Sequence, residues 1–449
     1  MVATAPFLAR FRHPAQVVAA GFSFAIGIGT ALLSLPIATA GGESAGWVTA
    51  LFTAASAVCV TGLVVVDTDT HWSVFGEVVI AGLAQVGGLG IMTMATVFML
   101  LVSGRLGLRA RIATQAETKT LSMGDVRRLV LKLALFSLVC EVITGAVLAG
   151  RFLIGYGESF GRALYLGGFH AVMAFNSAGF TLWPDSLMRF VADPWILLTI
   201  ATAAIVGGLG FPVVFELARH WRQPRKWSVL TRVTVMVTVI LLVVGTLVFL
   251  VTEWQNPRTL GALDDSDKLL AAFFTAVMPR SAGFNTLDIS QMYPSSWLAT
   301  DLLMFIGGGS AGTAGGIKVT TFGMLAFIIW AELRGESRVN IGHRRLPEAT
   351  QRQVITITVL GLMLVAFSTY VLLAMTPHGL DQVLFEVVSA FGTAGLSTGI
   401  TASLGPAGHV LLTVLMFIGR IGPLTLGSAL ALNRRARHYE LPEERVIIG

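Results

Sequence analysis

The chain has 449 residues, of which 54% are hydrophobic and only 12% charged, and 49 are glycine. So few charges cannot solvate a water-soluble protein of this size, so lipid must be the solvent for most of its surface. The net charge of +6 raises nucleic-acid binding, which the charge distribution argues against. Cys59 and Cys140 stand in apolar surroundings, without the spacing of a disulfide framework or a zinc site.

Arg10 and Arg12 precede an apolar stretch, 15–38, that ends at a peptidase-like Ala38-Thr39-Ala40. It exceeds the roughly 7–15 residues of a signal-peptide core and reads as a retained spanning helix. Segments 129–154, 229–251 and 354–376 likewise approach the ~20 apolar residues that cross a bilayer. Four further segments, 74–102, 194–218, 298–330 and 408–432, are apolar but rich in glycine. Between the two members of each pair lies an apolar stretch of about ten residues, too short to span. These stretches begin near Trp47, Tyr165, Leu269 and Gln382 and read as re-entrant half-helices.

Of 31 Lys and Arg, 23 fall in the N-terminus, 105–132, 219–232, 334–352 and the tail after Asn433. Arg151, Arg162, Arg189, Arg258 and Lys268 fall on the opposite side, and Arg280, Lys318 and Arg420 sit inside apolar stretches. The positive-inside rule places both termini in the cytoplasm and the half-helices outside, which eight full spans satisfy. The expected organisation is a cytoplasmic N-terminus (1–14), repeat 1 (15–104), a cytoplasmic loop (105–128) and repeat 2 (129–218). A cytoplasmic loop (219–228), repeat 3 (229–333), another loop (334–353), repeat 4 (354–433) and a cytoplasmic tail (434–449) follow. Topology alone explains the basic loops.

Self-similarity supports four units. The half-helices lead into Cys59-Val60-Thr61-Gly62, Asn176-Ser177-Ala178-Gly179, Arg280-Ser281-Ala282-Gly283 and Gly392-Thr393-Ala394-Gly395. A Phe stands ten residues before each final glycine, at Phe52, Phe169, Phe273 and Phe385. A second glycine landmark returns 24 to 28 residues downstream, at Gly87, Gly207, Gly307 and Gly419. A half-helix entering from outside aims its partially negative C-terminal end at mid-membrane, where four such ends stabilise a cation. Free carbonyls are tolerated at that depth only along a water- or ion-filled path, and glycine permits the φ values that turn them inward. The competing reading is four glycine kinks used for packing.

These motifs, with Ser-Ala-Gly-Phe-Asn-Thr at 281–286, resemble the Ktr/Trk/HKT superfamily of potassium transporters, specifically the membrane subunit of the bacterial Ktr type. The related Trk type usually carries an extra helix pair before its first repeat, whereas this chain begins at its first. The resemblance implies an all-α membrane protein of eight spanning helices and four half-helices in pseudo-fourfold arrangement. It implies a potassium filter with one glycine per repeat, at Gly62, Gly179, Gly283 and Gly395. Some plant relatives carry Ser in the first repeat and favour sodium, so Gly62 implies potassium preference. It further implies a homodimer in the bacterial plasma membrane, potassium as the transported ion bound in the filter, and no covalent cofactor. A cytoplasmic RCK-type nucleotide-binding regulatory ring (KtrA-like) is expected to hold the nucleotide. Sodium dependence stays open.

The third repeat departs at Gly307-Gly308-Gly309-Ser310-Ala311-Gly312-Thr313-Ala314-Gly315-Gly316-Ile317-Lys318, which cannot hold a stable helix. A phosphate loop requires Lys directly after Gly, and here Ile317 intervenes. The resemblance implies an intramembrane gating loop, 306–318. Arg420 sits where the other repeats have Gly88, Gly208 and Gly308. A buried charge at membrane depth is a functional hypothesis by default, and this one is expected to bond loop carbonyls and hold the gate closed; the bland alternative is an ion pair. Arg280, beside a filter loop, would repel the ion if it faced the pore, so it is expected to face away and pair with an acid such as Glu386. Glu77, Glu141 and Glu216 are unassigned candidates for pairing, and His170 reads as an interfacial residue. Two other classes compete: a secondary transporter of a small polar or anionic solute, which aims half-helix N-termini at its ligand, and an intramembrane enzyme, for which no nucleophile–base or zinc constellation is spaced correctly.

Overall fold

The computed structural model describes residues 14–105, 123–280, 282–336, 338–342 and 344–422. Repeat 1 comprises α1 (Pro14–Leu33), the half-helix α2 (Trp47–Val58), a single turn α3 (Thr68–His71) and α4 (Val74–Arg105). Repeat 2 runs through α5 (Met123–Tyr156), the half-helix α6 (Phe160–Asn176), α7 (Pro194–Leu209) and α8 (Phe211–His220). Repeat 3 has α9 (Val229–Glu253), the half-helix α10 (Asp265–Val277), α11 (Pro294–Phe305) and α12 (Val319–Leu333). Repeat 4 has α13 (Glu348–Met375), the half-helix α14 (Leu380–Gly392) and α15 (Gly405–Ile421). A hairpin of β1 (Asn340–Ile341) and β2 (Arg344–Arg345) decorates the basic connection between repeats 3 and 4.

This is an all-α polytopic membrane protein. Residues 130–156 of α5, with α9 and α13, are long and apolar enough to cross a bilayer, as are α7 and α8 taken as one bent span. Their outer faces expose Leu135, Ile143, Val243, Val251, Met363 and Phe367, all more than half accessible. Only hydrocarbon solvates such a surface without penalty. The half-helices are enclosed instead: Ala54, Ala55, Ser56 and Ala57 of α2 are fully buried, as are Phe385, Val387 and Ala390 of α14.

Helix starts follow ordinary capping chemistry. Asp193 accepts from the backbone N–H groups of Trp195 and Ile196 at the head of α7, and Ser228 caps α9 by accepting from Thr231 N–H. The other Asp193 oxygen takes Arg151 Nε at 2.8 Å and Tyr156 Oη at 2.9 Å, tying the end of α5 to the start of α7.

Second helices differ among repeats. The α4 helix runs unbroken through Gly90, whereas the segment expected as one span at 194–218 bends by 102° between α7 and α8. Gly210 sits at the bend with φ +89° and ψ 139°, followed by Phe211 and Pro212. Glycine adopts that backbone freely, and a proline early in the next helix sacrifices no hydrogen bond. Gly422 ends α15 with φ 90° and ψ 137°, the same backbone as Gly210; the rest of the expected 408–432 span lies outside the described residues.

The downstream glycines have a common structural cause. A Cβ on Gly87, Gly207 or Gly419 would lie 2.0, 2.0 or 1.9 Å from the carbonyl oxygen of Val58, Phe175 or Phe391. In each case the final turn of a half-helix is seated on the bare Cα of the following long helix. Gly207→Ala is therefore expected to destabilise the protein by at least the ~1–3 kcal/mol of an overpacked core. Gly82→Ala, whose added methyl meets nothing within 4 Å, is expected to be neutral or mildly stabilising. Thermal unfolding of the two variants in detergent checks the contrast.

Candidate functional site

Each half-helix stops abruptly. In α6 and α14 the next residues, Ser177 (φ 62°) and Thr393 (φ 48°), are left-handed; Val60 (φ 57°) is too, two residues beyond the last of α2. The following N–H then folds back onto the helix: Thr61 N to Ser56 O at 2.7 Å, Ala178 N to Met173 O at 2.8 Å and Ala394 N to Ser389 O at 2.9 Å. This is the Schellman stop, which satisfies one terminal carbonyl and turns the chain out of the helix. Repeat 3 ends differently, in a 3-10 turn at Met278–Arg280 with Ala282 N bonded to Met278 O at 2.9 Å.

One residue later in every repeat comes the glycine, at φ +89° (Gly62), +69° (Gly179), +74° (Gly283) and +85° (Gly395). These four close a ring. A Cβ on Gly62 would lie 2.4 Å from Ala178 O, and one on Gly179 would lie 3.0 Å from Ala282 O and 2.9 Å from Gly283 Cα. One on Gly283 would lie 2.9 Å from Ala394 O, and one on Gly395 would lie 2.1 Å from Thr61 O. Each repeat's glycine abuts the carbonyl of the next repeat, and the fourth abuts the first. The packing-kink alternative is overturned, because kinks scattered against lipid have no reason to meet.

Behind the ring, the strands that return from it are anchored by buried polar side chains. Glu386, fully buried on α14, accepts from Ser397 Oγ, from Thr398 N–H at 3.1 Å and from Thr401 Oγ1 at 2.8 Å. His170 occupies the equivalent place on α6, nine residues before the ring glycine; its Nδ1 bonds Leu166 O at 2.8 Å and its Nε2 accepts from Leu182 N–H at 3.4 Å. It stacks on Trp183 at 4.3 Å and has no exposed surface. The expected Arg280–Glu386 pair is also overturned. Arg280 Nη2 donates to Thr238 Oγ1 of α9 at 3.2 Å, and the Glu386 oxygens are occupied by Ser397, Thr398 and Thr401. Glu77 instead takes Tyr165 Oη, and Glu216 takes Ser228 N–H and Oγ, both at 2.6 Å.

The loop 306–318 packs against the ends of the half-helices of repeats 2 and 4. Its neck is closed by Gly307 N to Ile317 O at 2.9 Å and Ile317 N to Phe305 O at 3.2 Å. Its body bonds repeat 2, with Gly309 N on Gly208 O at 2.7 Å and Thr313 N on Gly207 O at 3.1 Å. Thr313 Oγ1 reaches Phe175 O at 3.3 Å and pairs with Ser177 Oγ at 3.0 Å. On the repeat 4 side a Cβ on Gly315 would lie 2.1 Å from Thr393 Oγ1. Arg420 is 2% exposed and donates through Nη1 to Thr313 O and through Nη2 to Gly87 O at 3.1 Å. Among the described residues no carboxylate pairs with it, so the bonding to loop carbonyls is as expected and the ion-pair alternative is not. Lys318 Nζ donates to Ala314 O within the loop.

The family model for TrkH, cation transport protein, matches residues 6–435. The chain belongs to the TrkH family. It is 42% identical over 436 residues to the Ktr system potassium uptake protein B of Bacillus subtilis (strain 168), covering 97% of each. It is 39% identical to the protein of the same name from Vibrio alginolyticus, covering 93% of this chain and 91% of that one. With the potassium/sodium uptake protein NtpJ of Enterococcus hirae it shares 35% identity over 97% of each. The crystal structure of the potassium transporter TrkH from Vibrio parahaemolyticus shares the fold, with a TM-score of 0.71 at 18% identity over 92% of this chain and 85% of that one.

Removing the Glu386 side chain leaves three donors around an empty buried site. Glu386→Ala is expected to cost on the order of 3 kcal/mol and Glu386→Gln, which keeps one acceptor oxygen, distinctly less. Thermal unfolding, with limited proteolysis across 397–403, measures both.

Proposed function

We propose that this TrkH-family chain takes up potassium across a bacterial plasma membrane through a backbone-carbonyl filter built from its four repeats. The observation that carries the reading is the closed ring of Gly62, Gly179, Gly283 and Gly395 interleaved with the carbonyls of Thr61, Ala178, Ala282 and Ala394. Each half-helix C-terminus presents about half a negative charge, so four ends converging on one axis offer a cation about two. Carbonyl dipoles replace the hydration shell of a monovalent ion without fixing it as a carboxylate would. Relatives named for potassium uptake support the choice of ion. The clustering of Lys and Arg in the loops on the side of both termini supports a cytoplasmic location for them, with the hairpin at Arg344–Arg345.

In the same reading the loop 306–318 is the gate and Arg420 its latch. The guanidinium lies below the ring and bonds both the loop (Thr313 O) and α4 (Gly87 O), so it ties a movable segment to a fixed one. Small residues with weak backbone preference suit a segment that rearranges. The reading extends to a homodimer governed by a cytoplasmic ring of nucleotide-binding subunits, supported by relatives named as parts of a Ktr system.

Two experiments test it in a bacterium lacking its own potassium uptake. Gly179→Ser places a side chain at positive φ against Gly283 Cα, and is expected to reduce potassium-over-sodium preference roughly tenfold, about 1.4 kcal/mol of discrimination. Unchanged preference overturns the filter. Arg420→Gln keeps one donor group but removes the charge, and is expected to raise the maximal uptake rate several-fold; an unaltered rate and affinity overturns the latch.

A further inference from the structure

The four filter loops share one geometry but not one backing. The residue three places before the ring glycine is Cys59, Asn176, Arg280 or Gly392, and Asn176 makes a polar network unlike the others. It is the last residue of α6, fully buried, and its side chain points away from the loop into the junction of α4, α5 and α6. Its Nδ2 lies 2.6 Å from Gln85 Oε1 on α4, 3.2 Å from Glu141 Oε1 on α5 and 3.0 Å from Val172 O on its own helix. Ser137, one turn before Glu141, donates to the same Glu141 oxygen at 2.6 Å and receives Gln85 Nε2 at 3.3 Å. Four side chains from three helices thus form a closed hydrogen-bonded circuit. Ser137, Glu141 and Asn176 are buried, and Gln85 is partly so.

The circuit sits where a small rotation is amplified. Asn176 directly precedes Ser177, whose left-handed backbone starts the filter loop, and Ala178 supplies the carbonyl that meets Gly62. On the opposite side of the amide, Oδ1 rests at the bare Cα of Gly88: a Cβ there would lie 2.0 Å from it. The amide is therefore held sterically on its oxygen side and by acceptors on its nitrogen side. A buried carboxylate in a membrane protein is costly unless it has a task, and Glu141 has no cationic partner among the described residues. Its contacts are Ser137 and Asn176.

We infer that Glu141, with Gln85 and Ser137, is the positioning set of the second filter loop: by fixing the Asn176 amide it sets the Ala178 carbonyl in the ring and thereby ion preference. This rests on the filter reading above and adds to it residues that never touch the ion. The role is geometric, so an acceptor oxygen at position 141 is what matters and the negative charge is not.

The test compares Glu141→Gln, Glu141→Ala, Asn176→Ala and the double alanine variant in the full-length protein. Potassium and sodium uptake kinetics are read against thermal unfolding in detergent. Glu141→Ala and Asn176→Ala are expected to raise the potassium KM relative to sodium about tenfold, the upper end of one ordinary net hydrogen bond, while the maximal rate changes little. Glu141→Gln is expected to keep wild-type preference, and the double variant to be no worse than either single one, since residues in one circuit are not additive. Glu141→Ala with normal preference overturns the inference, as does Glu141→Gln behaving like Glu141→Ala, which assigns the effect to charge. If Glu141→Ala does not fold, Glu141→Gln and Asn176→Ser still decide, because preference lost in Asn176→Ser and kept in Glu141→Gln is the expected pattern and the reverse refutes it. Gly179→Ser separates the two levels: if it alters preference and Glu141→Ala does not, the filter stands and the positioning set falls.

Discussion

A helix that ends inside a membrane protein leaves carbonyls that neither water nor lipid can satisfy, and this constraint organises the whole chain. Four half-helices end that way here. Three of them resolve it with the same pair of devices. A left-handed residue at Val60, Ser177 or Thr393 folds the next N–H back onto the last turn. A glycine on the following long helix then lets that turn approach until no Cβ fits between. The second device fixes the depth of the half-helix, and hence where its ring glycine sits. The two glycine landmarks in the sequence are thus one constraint seen from its two partners.

Repeat 3 breaks the pattern, and its exception becomes the loop. Gly307 occupies the seat position, yet the carbonyl beside it is Gly315 O from the loop itself. With that seat unused by α10, the helix that ought to continue through it separates into α11 and α12. The backbone so released needs partners. The bend at Gly210 supplies them, because ending α7 at Leu209 strips its last carbonyls of intrahelical donors. Gly207 O and Gly208 O then accept Thr313 N–H and Gly309 N–H. The irregular backbone of repeat 3 and the broken helix of repeat 2 thus satisfy each other.

Much of this was legible in the residues. Fixed offsets between Phe, ring glycine and seat glycine predict four equivalent units, because each offset reflects a backbone requirement no other residue meets. The Gly210 bend also had a signal: Gly-Phe-Pro at 210–212 and Gly-Pro at 422–423 announce a helix stop that overall hydropathy conceals. His170 and Glu386 share the offset of nine residues before the ring glycine, which marks them as equivalent anchors. What hydropathy and spacing do not carry is pairing across repeats. Arg280 was expected to seek the charge of Glu386, but Ser397, Thr398 and Thr401 come from the strand that Glu386 itself supports, and local donors fill its oxygens first. Glu141 and Asn176 are 35 residues apart and meet only because α5 and α6 pack as a hairpin.

The electrostatics of the centre then follow from placement. Helix ends that meet at one ring make a region of negative potential worth about two charges. Two buried cations bond carbonyls of the neighbouring backbone: Arg420 those of Thr313 and Gly87, and Lys318 that of Ala314. A guanidinium held by two carbonyls on separate elements stabilises the arrangement in which both are near, and does so most strongly when no ion shares the field. If the ring takes a cation as proposed, that charge weakens the hold of the same field on the guanidinium. On the proposed reading, an ion in the ring and the Arg420 hold on the loop oppose each other by Coulomb's law.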